Sequence, residues 1–402
     1  MMPERILMLS WTVPPETTGS AVIVGNLAKQ FSRTEMVVAG EQPYQRPPVA
    51  WKEEWPEIKF LSRGWPQTRR GARLRRKLLV PWLIYRCVRL VKTYECTKIL
   101  VIFPCEEYLF AGYFVARMTG AKLFPYFHNT YLEQCPSSGL KRHVARWLQA
   151  SVFKHAQHIF LMSKGMEELY QDHYPGLPCS VLVHSFNEAI PDFNVPPEPR
   201  RSPHFILAGN INASCQEATV RACAAVSQVK DSFLTILSGT PNDHLRGLGM
   251  LNGRTRHDTV ARDNLIQRLN EADIVLLPHG FSGTLSHDEY QTIFPTKTIE
   301  YLICQRPILA HAPPDCYLTR FLKAHGCALV VEEPTIPALL AGITRILSDA
   351  DLRATLVRNA LRTAETFQAS RVASSVRSAM SERARTIGTQ TATAGLTSEE
   401  LS

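Results

Sequence analysis

The chain has 402 residues, of which 45% are apolar and 20% charged, with a formal net charge of +9. That length exceeds one ordinary core and predicts two domains, and the composition excludes a disordered or fibrous chain. No apolar run reaches the roughly 20 residues of a membrane span. The opening MMPERILMLSW carries Glu4 and Arg5 ahead of a strand-length apolar run, without the pattern of a cleaved leader. Ten cysteines form no Cys-x-x-Cys pair and several fall in helical stretches. They read as small buried residues in a reducing compartment, so a cytoplasmic chain is expected. The positive charge is one local feature. Ten Lys and Arg and no acid lie between Arg63 and Lys92, and the remainder sums to about neutral.

In chain order, β-branched or apolar runs alternate with helical stretches. Strands are predicted at RILMLSW (5–11), EMVVAG (35–40), KILVIF (98–103), KLFPYF (122–127) and HIFLMS (158–163). Between them, GSAVIVGNLAKQF (19–31), YLFAGYFVARM (108–118) and LKRHVARWLQASVFKH (140–155) read as helices. Continuous apolar strands joined by helical crossovers imply a parallel sheet buried on both faces. IPDFNVPPEPRRSP (190–203) then holds five prolines and reads as a linker. The alternation restarts with HFILAGN (204–210), SFLTILSG (232–239), DIVLLPH (273–279), PILAHAP (307–313) and ALVVEE (328–333). Two doubly wound α/β domains follow: 1–186 and 204–350, joined by a linker over 187–203, then C-terminal helices over 351–381 and a disordered tail over 382–402. Such sheets place their binding crevices at the carboxyl ends of the strands.

The stretch FPTKTIEYL (294–302) lies between two of these strands. Thr296 is placed to cap a helix beginning near Lys297, and free N–H groups with the lysine charge there attract an anion. Glu300, one turn along, offers a carboxylate to a vicinal diol such as a ribose. The plain alternative is a capped surface helix with Glu300 in solvent. The wider stretch EADIVLLPHGFSGTLSHDEYQTIFPTKTIEYLICQRPILAHAPPD (271–315) resembles the donor-binding core of glycosyltransferases of the GT-B fold, most closely family 4. The resemblance extends over most of residues 1–370. It implies that Glu300 holds the nucleotide ribose and that Pro295, Thr296 and Lys297 lie by the diphosphate. Family 4 often carries a second Glu eight residues before the ribose Glu. Here that position is Thr292, with Asp288 and Glu289 nearby. The family also commonly places cations after the first strand of the second domain. Here that loop, GNINASCQEA, has none. Gly209 and Asn210 open it and are assigned to the nucleotide sugar, while Arg254 or Arg256 in NGRTRHD is the candidate replacement cation.

The first domain adds Gly19 in VPPETTGSA, where a glycine at a helix start permits close approach of phosphate or sugar. A plain cap by Thr18 is the alternative. His128, ending the strand in PYFHNTYLEQ, faces the donor sugar by the resemblance and is otherwise a structural histidine. Asn129 and Glu133 are weaker neighbours, and Ser163 reads as a helix cap with cleft exposure. Asp349 and Asp351 match a metal pattern but read as a helix cap, and His279, His287 and Asp288 match no standard metal spacing.

The resulting expectation is a transferase moving a sugar from a nucleotide diphosphate to a glycan or lipid-linked acceptor. Lys297 and His128 would be catalytic. The charge on the leaving diphosphate would be met by fixed cations and N–H dipoles, so no metal or other cofactor is expected. Retention of configuration is implied by the resemblance alone. The run 63–92, with Trp65, Trp82 and Tyr85 interleaved among its cations, predicts peripheral contact with an anionic membrane surface. No nucleic-acid motif accompanies it. The competing readings are a catalytically silent nucleotide- or partner-binding protein and a nucleotide-sugar epimerase on the same fold.

Overall fold

The computed structural model describes residues 4–16, 19–43, 51–63, 71–135 and 138–381. Thr18, the 64–70 part of the basic run and the expected tail 382–402 lie outside the described residues. The first sheet has seven strands: β1 (Arg5–Thr12), β2 (Met36–Gln42), β3 (Glu57–Arg63), β4 (Cys96–Phe103), β5 (Lys122–Phe127), β6 (Ile159–Leu161) and β7 (Cys179–Val181). Their order is 3-2-1-4-5-6-7, and every pairing is parallel. The central strands are apolar throughout because both faces are covered: Ile6, Leu7, Met8 and Leu9 of β1 and Ile99 to Phe103 of β4 are all buried.

The second sheet has six: β8 (His204–Ala208), β9 (Phe233–Leu237), β10 (Thr255–Asp258), β11 (Ile274–Pro278), β12 (Ile308–His311) and β13 (Leu329–Val331). Their order is 10-9-8-11-12-13, again all parallel. Each sheet therefore reverses its winding at its first strand, between β1 and β4 and between β8 and β11. A doubly wound sheet opens its crevice at that point. The edge strands β3, β7 and β10 are absent from the sequence expectation. β10 reads TRHD and β3 is half exposed and charged, as solvent-facing edges tend to be, so neither shows an apolar run.

Residues 187–203 contain no helix or strand. This segment lies along the second domain, with Arg200 Nη1 donating to Glu271 O at 2.6 Å and Asn194 N donating to Gln305 Oε1 at 3.1 Å. At the C-terminus the sequence reads 351–380 as one helical stretch, but the structure divides it. A helix over Ala350–Ala364, capped by Asp349 through Leu352 N, gives way to a turn at Glu365–Phe367. The last helix, Ala369–Met380, packs on the Ser20–Ala28 helix of the first domain. Arg377 fixes it there, over the Phe31 ring at 4.3 Å and against Glu35 at 3.1 Å. The chain thus crosses between domains twice, and the crossings touch: Phe186 N donates to Phe367 O and Ala369 N to Phe186 O.

Beyond these crossings the domains meet along one seam. Ser163 Oγ donates to Thr292 O at 2.7 Å, and Arg320 reaches Glu168 at 2.6 Å. A Cβ on Gly165 would stand 2.8 Å from Tyr317 Cβ, so this backbone approach between domains requires glycine.

Candidate functional site

A cleft of about 1130 Å³ opens between the domains, at the carboxyl ends of β1, β4 and β5 on one side and β8, β9 and β11 on the other. Its volume slightly exceeds the ~300–1,000 Å³ usual for small-molecule sites.

The second-domain wall is built outward from β11, whose apolar residues are wholly buried and end at Pro278 and His279. The chain passes through a short helix, His287–Thr292, capped by Ser286, to Phe294. Phe294 stacks on Phe367 with ring centroids 5.6 Å apart and planes 3° apart. This anchors the turn before the Lys297–Ile303 helix. Tyr301 on that helix accepts a hydrogen bond from Ala208 N at 2.7 Å, which docks the helix against the end of β8. Lys297 is thereby laid across Gly209, where a Cβ would stand 3.4 Å from Lys297 Cδ. Gly209 has φ +97°, a conformation that favours glycine.

The local expectation for this helix is corrected in two respects. Thr296 lies in αR geometry and makes no side-chain cap, and the amides of Thr298 and Ile299 are engaged by Pro295 O and Thr296 O. The positive pole is the Lys297 side chain rather than a row of free N–H groups. Its stem is partly exposed to the cleft, but the ammonium nitrogen is buried and meets no protein acceptor. Burial lowers its pKa below the ordinary lysine range. Nearby, His279 Nε2 donates to Tyr290 O at 2.9 Å, and burial, reinforced by the Lys297 charge, keeps this imidazole neutral.

Glu300 lines the cleft one turn beyond Lys297 and is 3% exposed. It is not in solvent: its carboxylate accepts a hydrogen bond from Arg262. Burial pushes the Glu300 carboxyl up, and the guanidinium in contact opposes that shift. Arg262 also stands 3.8 Å from Glu188, at the start of the linker.

Arg262, and neither Arg254 nor Arg256, is the arginine of this segment that lines the cleft. Those two are drawn away by the edge strand β10. Arg254 Nη1 donates to Val229 O at 3.4 Å and Arg256 lies over the Phe233 ring at 5.9 Å, and neither lines the cleft. No signal in the sequence separates Arg262 from them until β10 is recognised as a strand.

The first-domain wall begins at Gly19, which has φ +50° and opens the Ser20–Ala28 helix without a side-chain cap. Ser20 Oγ lies 3.0 Å from His128 Nδ1, at the end of β5. His128 is buried and packs edge-on to Tyr126 at 4.3 Å, and its Nε2 is unpartnered. Burial holds it well below the ordinary histidine range. Beside it, 5.4 Å between ring centroids, is His184, a cleft residue that the sequence reading missed. It follows the three-residue strand β7, which gave no sequence signal.

The remaining candidates divide. Asn210 lines the cleft and accepts from Gly239 N at 3.1 Å, and Pro295 and Thr296 line it as well. Asn129 and Glu289 are brought together: the Glu289 carboxylate accepts from Asn129 Nδ2 at 2.8 Å, from Thr130 N at 3.2 Å and from Thr130 Oγ1. Glu289 thus ties the second domain to the first. Ser163 is a helix cap, accepting from Met166 N at 3.1 Å, but it is fully buried in the seam instead of exposed to the cleft. Glu133 is also away from the cleft, accepting from Tyr170 OH at 3.2 Å and Gln149 Nε2 at 3.1 Å. Thr292 is buried in the seam, its hydroxyl donating to Asp288 O at 2.8 Å. Among the described residues no three His, Cys, Asp or Glu side chains gather as a metal site requires. All ten cysteines are free.

The cleft therefore has a cationic pole at Lys297, an acid at Glu300 held by an arginine, and a neutral imidazole recess opposite. That distribution suits an elongated ligand with an anionic middle and hydroxylated ends.

No protein-family model matches the sequence, and no curated protein matches it by sequence. Solved structures do match by shape. Sucrose-phosphate synthase from Thermosynechococcus elongatus is similar with a TM-score of 0.71 at 14% identity, over 96% of this chain and 99% of that one. Anabaena HepE in complex with UDP and glucose is similar with a TM-score of 0.66 at 14% identity, over 94% and 100%. A Listeria monocytogenes protein assigned as a UDP-N-acetylglucosamine 2-epimerase is similar with a TM-score of 0.57 at 9% identity, over 95% and 97%. With two parallel, doubly wound sheets of seven and six strands facing one cleft, the chain has the GT-B fold.

Proposed function

We propose that the protein is a glycosyltransferase that moves a sugar from a nucleoside diphosphate to an acceptor hydroxyl. The observation that carries this reading is Lys297. A buried ammonium without an acceptor is costly, and here it faces a cleft at the switch points of two doubly wound sheets. A diphosphate beside it would supply the missing acceptors through charge-assisted hydrogen bonds. Gly19, Gly209, Asn210, Pro295 and Thr296 would line the path of the phosphates. Glu300 would accept from the ribose hydroxyls and His128 would meet the sugar. Charge developing on the leaving diphosphate would be met by Lys297, in a transfer that proceeds without a metal and with retention of configuration. HepE, which shares the fold, has been captured with UDP and glucose, making uridine the first base to try.

The test is release of nucleoside diphosphate from a nucleotide sugar. The reading requires release that depends on added acceptor. Interconversion of the nucleotide sugar with no acceptor present would favour epimerisation, which a protein of this fold from Listeria is assigned to perform. Binding with neither outcome would identify a silent member of the fold.

On this reading the acceptor lies at a membrane surface on the cytoplasmic side. Among the described residues no helix is long and apolar enough to cross a membrane, so contact would be peripheral. The 71–92 part of the basic run is more internally engaged than the sequence suggests. Arg75 and Arg76 lie 3.4 and 3.7 Å from Glu41, and Arg76 covers the Trp11 ring. Trp82 and Tyr85 are exposed with Arg86 and Arg89 over their rings. The helices Val80–Thr93, Glu106–Thr119 and Leu140–His155 pack side by side, and the last adds Leu140, Val144 and Trp147, also exposed, among Lys141 and Arg146. An apolar set rimmed by cations suits anionic lipid. The protein is expected to co-sediment with phosphatidylglycerol vesicles at physiological salt and not with phosphatidylcholine vesicles, and Leu140→Glu with Trp147→Glu should abolish it. Indifference of the wild type to anionic vesicles removes this placement.

A further inference from the structure

His184 carries an inference that rests on the glycosyltransferase reading and extends it. The residue is 3% exposed, lines the cleft, and neither ring nitrogen has a hydrogen-bond partner. Its position is not incidental. On one side Leu182 O accepts from Tyr126 OH at 2.8 Å, and on the other Ser185 O accepts from Asn26 Nδ2 at 2.6 Å. Leu182 N is also fixed, donating to Leu161 O at 2.8 Å. Three first-domain elements therefore clamp the backbone around a side chain whose own polar atoms are unsatisfied. Leaving a buried polar atom unpaired is destabilising, and a fold that clamps one in place needs a reason outside its own packing.

The neighbour is His128. Its Nδ1 is engaged by Ser20, and its Nε2 is unpartnered. Together the two rings, adjacent and both lining the cleft, hold three nitrogens that meet no protein partner. Burial holds both imidazoles neutral, with His184 pushed down to about 3, and a neutral imidazole offers one N–H donor and one lone pair. Donor and acceptor side by side complement a hydroxyl, which both gives and takes a hydrogen bond. They do not complement a phosphate, which has its cation at Lys297 on the opposite wall.

We propose that His184, paired with His128, reads hydroxyl groups of the sugar on the nucleotide, and so determines which sugar the cleft accepts. The phosphates engage Lys297 and contribute affinity shared by all donors, while the two-histidine recess discriminates among sugars. A site built to hydrogen-bond a hydroxyl rejects the analogue that lacks it more strongly than an apolar pocket rejects a size change.

The experiment compares full-length wild type with His184→Leu by calorimetric titration with UDP, GDP and ADP and with the glucose ester of each. His184→Leu should weaken binding of the nucleotide sugar by about tenfold or more, while binding of the bare nucleoside diphosphate changes less than about twofold. His184→Gln, which keeps a donor and an acceptor, should recover part of the loss, and it stands in should the Leu variant fail to fold. A merely structural histidine predicts otherwise: removing two unsatisfied nitrogens would raise the melting temperature and leave the ratio of the two affinities unchanged. An unchanged ratio overturns the proposal while the glycosyltransferase reading stands, and so does equal weakening of both ligands. A wild type that binds no nucleoside diphosphate overturns that reading and this proposal with it.

Discussion

Lys297→Met is expected to raise the melting temperature of the free protein and to weaken nucleoside diphosphate binding by about 10–100-fold. Both effects come from one feature. The ammonium is buried without an acceptor, so the free protein carries a desolvation cost that a thioether of similar length does not. A bound diphosphate removes that cost with hydrogen bonds to a charged group, worth about 1.5–3 kcal/mol each. The pH dependence follows. Burial lowers the folded-state pKa of Lys297, so the unfolded chain binds more protons between the depressed value and the ordinary one. This contribution to wild-type stability therefore rises with pH through that window, and Lys297→Met abolishes it. A bound diphosphate favours the charged form. Binding should take up protons, and affinity should fall as pH climbs above the depressed value. Thermal unfolding with and without ligand across pH checks each sign.

The second large effect concerns Glu300 and Arg262. Removing one partner of a buried pair strands the other, at a cost of about 3–5 kcal/mol. Arg262→Ala strands the buried Glu300 carboxylate and should lose stability on that scale, while Glu300→Ala should lose less, because Arg262 is partly exposed and keeps Glu188 at 3.8 Å. Replacing both by apolar residues, Glu300→Leu with Arg262→Met, should lose much less than the sum, since the two sites are in direct contact. Denaturant titrations of the two single variants and the double variant measure the coupling. The pair also bears on recognition. A ribose that reaches Glu300 must share its carboxylate with Arg262, so Glu300→Gln should keep the fold and still weaken nucleotide binding. Retained affinity in Glu300→Gln would confine Glu300 to holding Arg262.

What the sequence reveals here follows from where the apolar residues lie. Both sheets are visible in their central strands because burial on two faces demands unbroken apolar runs: ILML in β1, ILVIF in β4 and IVLL in β11. The edge strands β3, β7 and β10 face solvent on one side and carry no such pattern. The consequence reaches the site. Missing β10 hides which arginine turns inward, and missing β7 hides His184. FPTKTIEYL is legible because its residue types are restrictive, yet its local geometry is not. Nothing in the string shows that Thr296 leaves the cap unmade, or that Glu300 is already held. Contacts between residues distant in the chain, such as Ser163 with Thr292 and Glu289 with Asn129, depend on how the domains dock. The same holds for the last helix, which belongs by sequence with the second domain and by packing with the first.

The most direct measurement is calorimetric titration of wild type and Lys297→Met with UDP, GDP and ADP near neutral pH. The proposed function predicts that one nucleoside diphosphate binds the wild type and that Lys297→Met loses at least about tenfold in affinity for it. Saturation at 100 times Kd should also stabilise the wild type by about 2.7 kcal/mol. Failure of all three to bind, or equal binding by the Met variant, would contradict the assignment of this cleft to a nucleotide sugar.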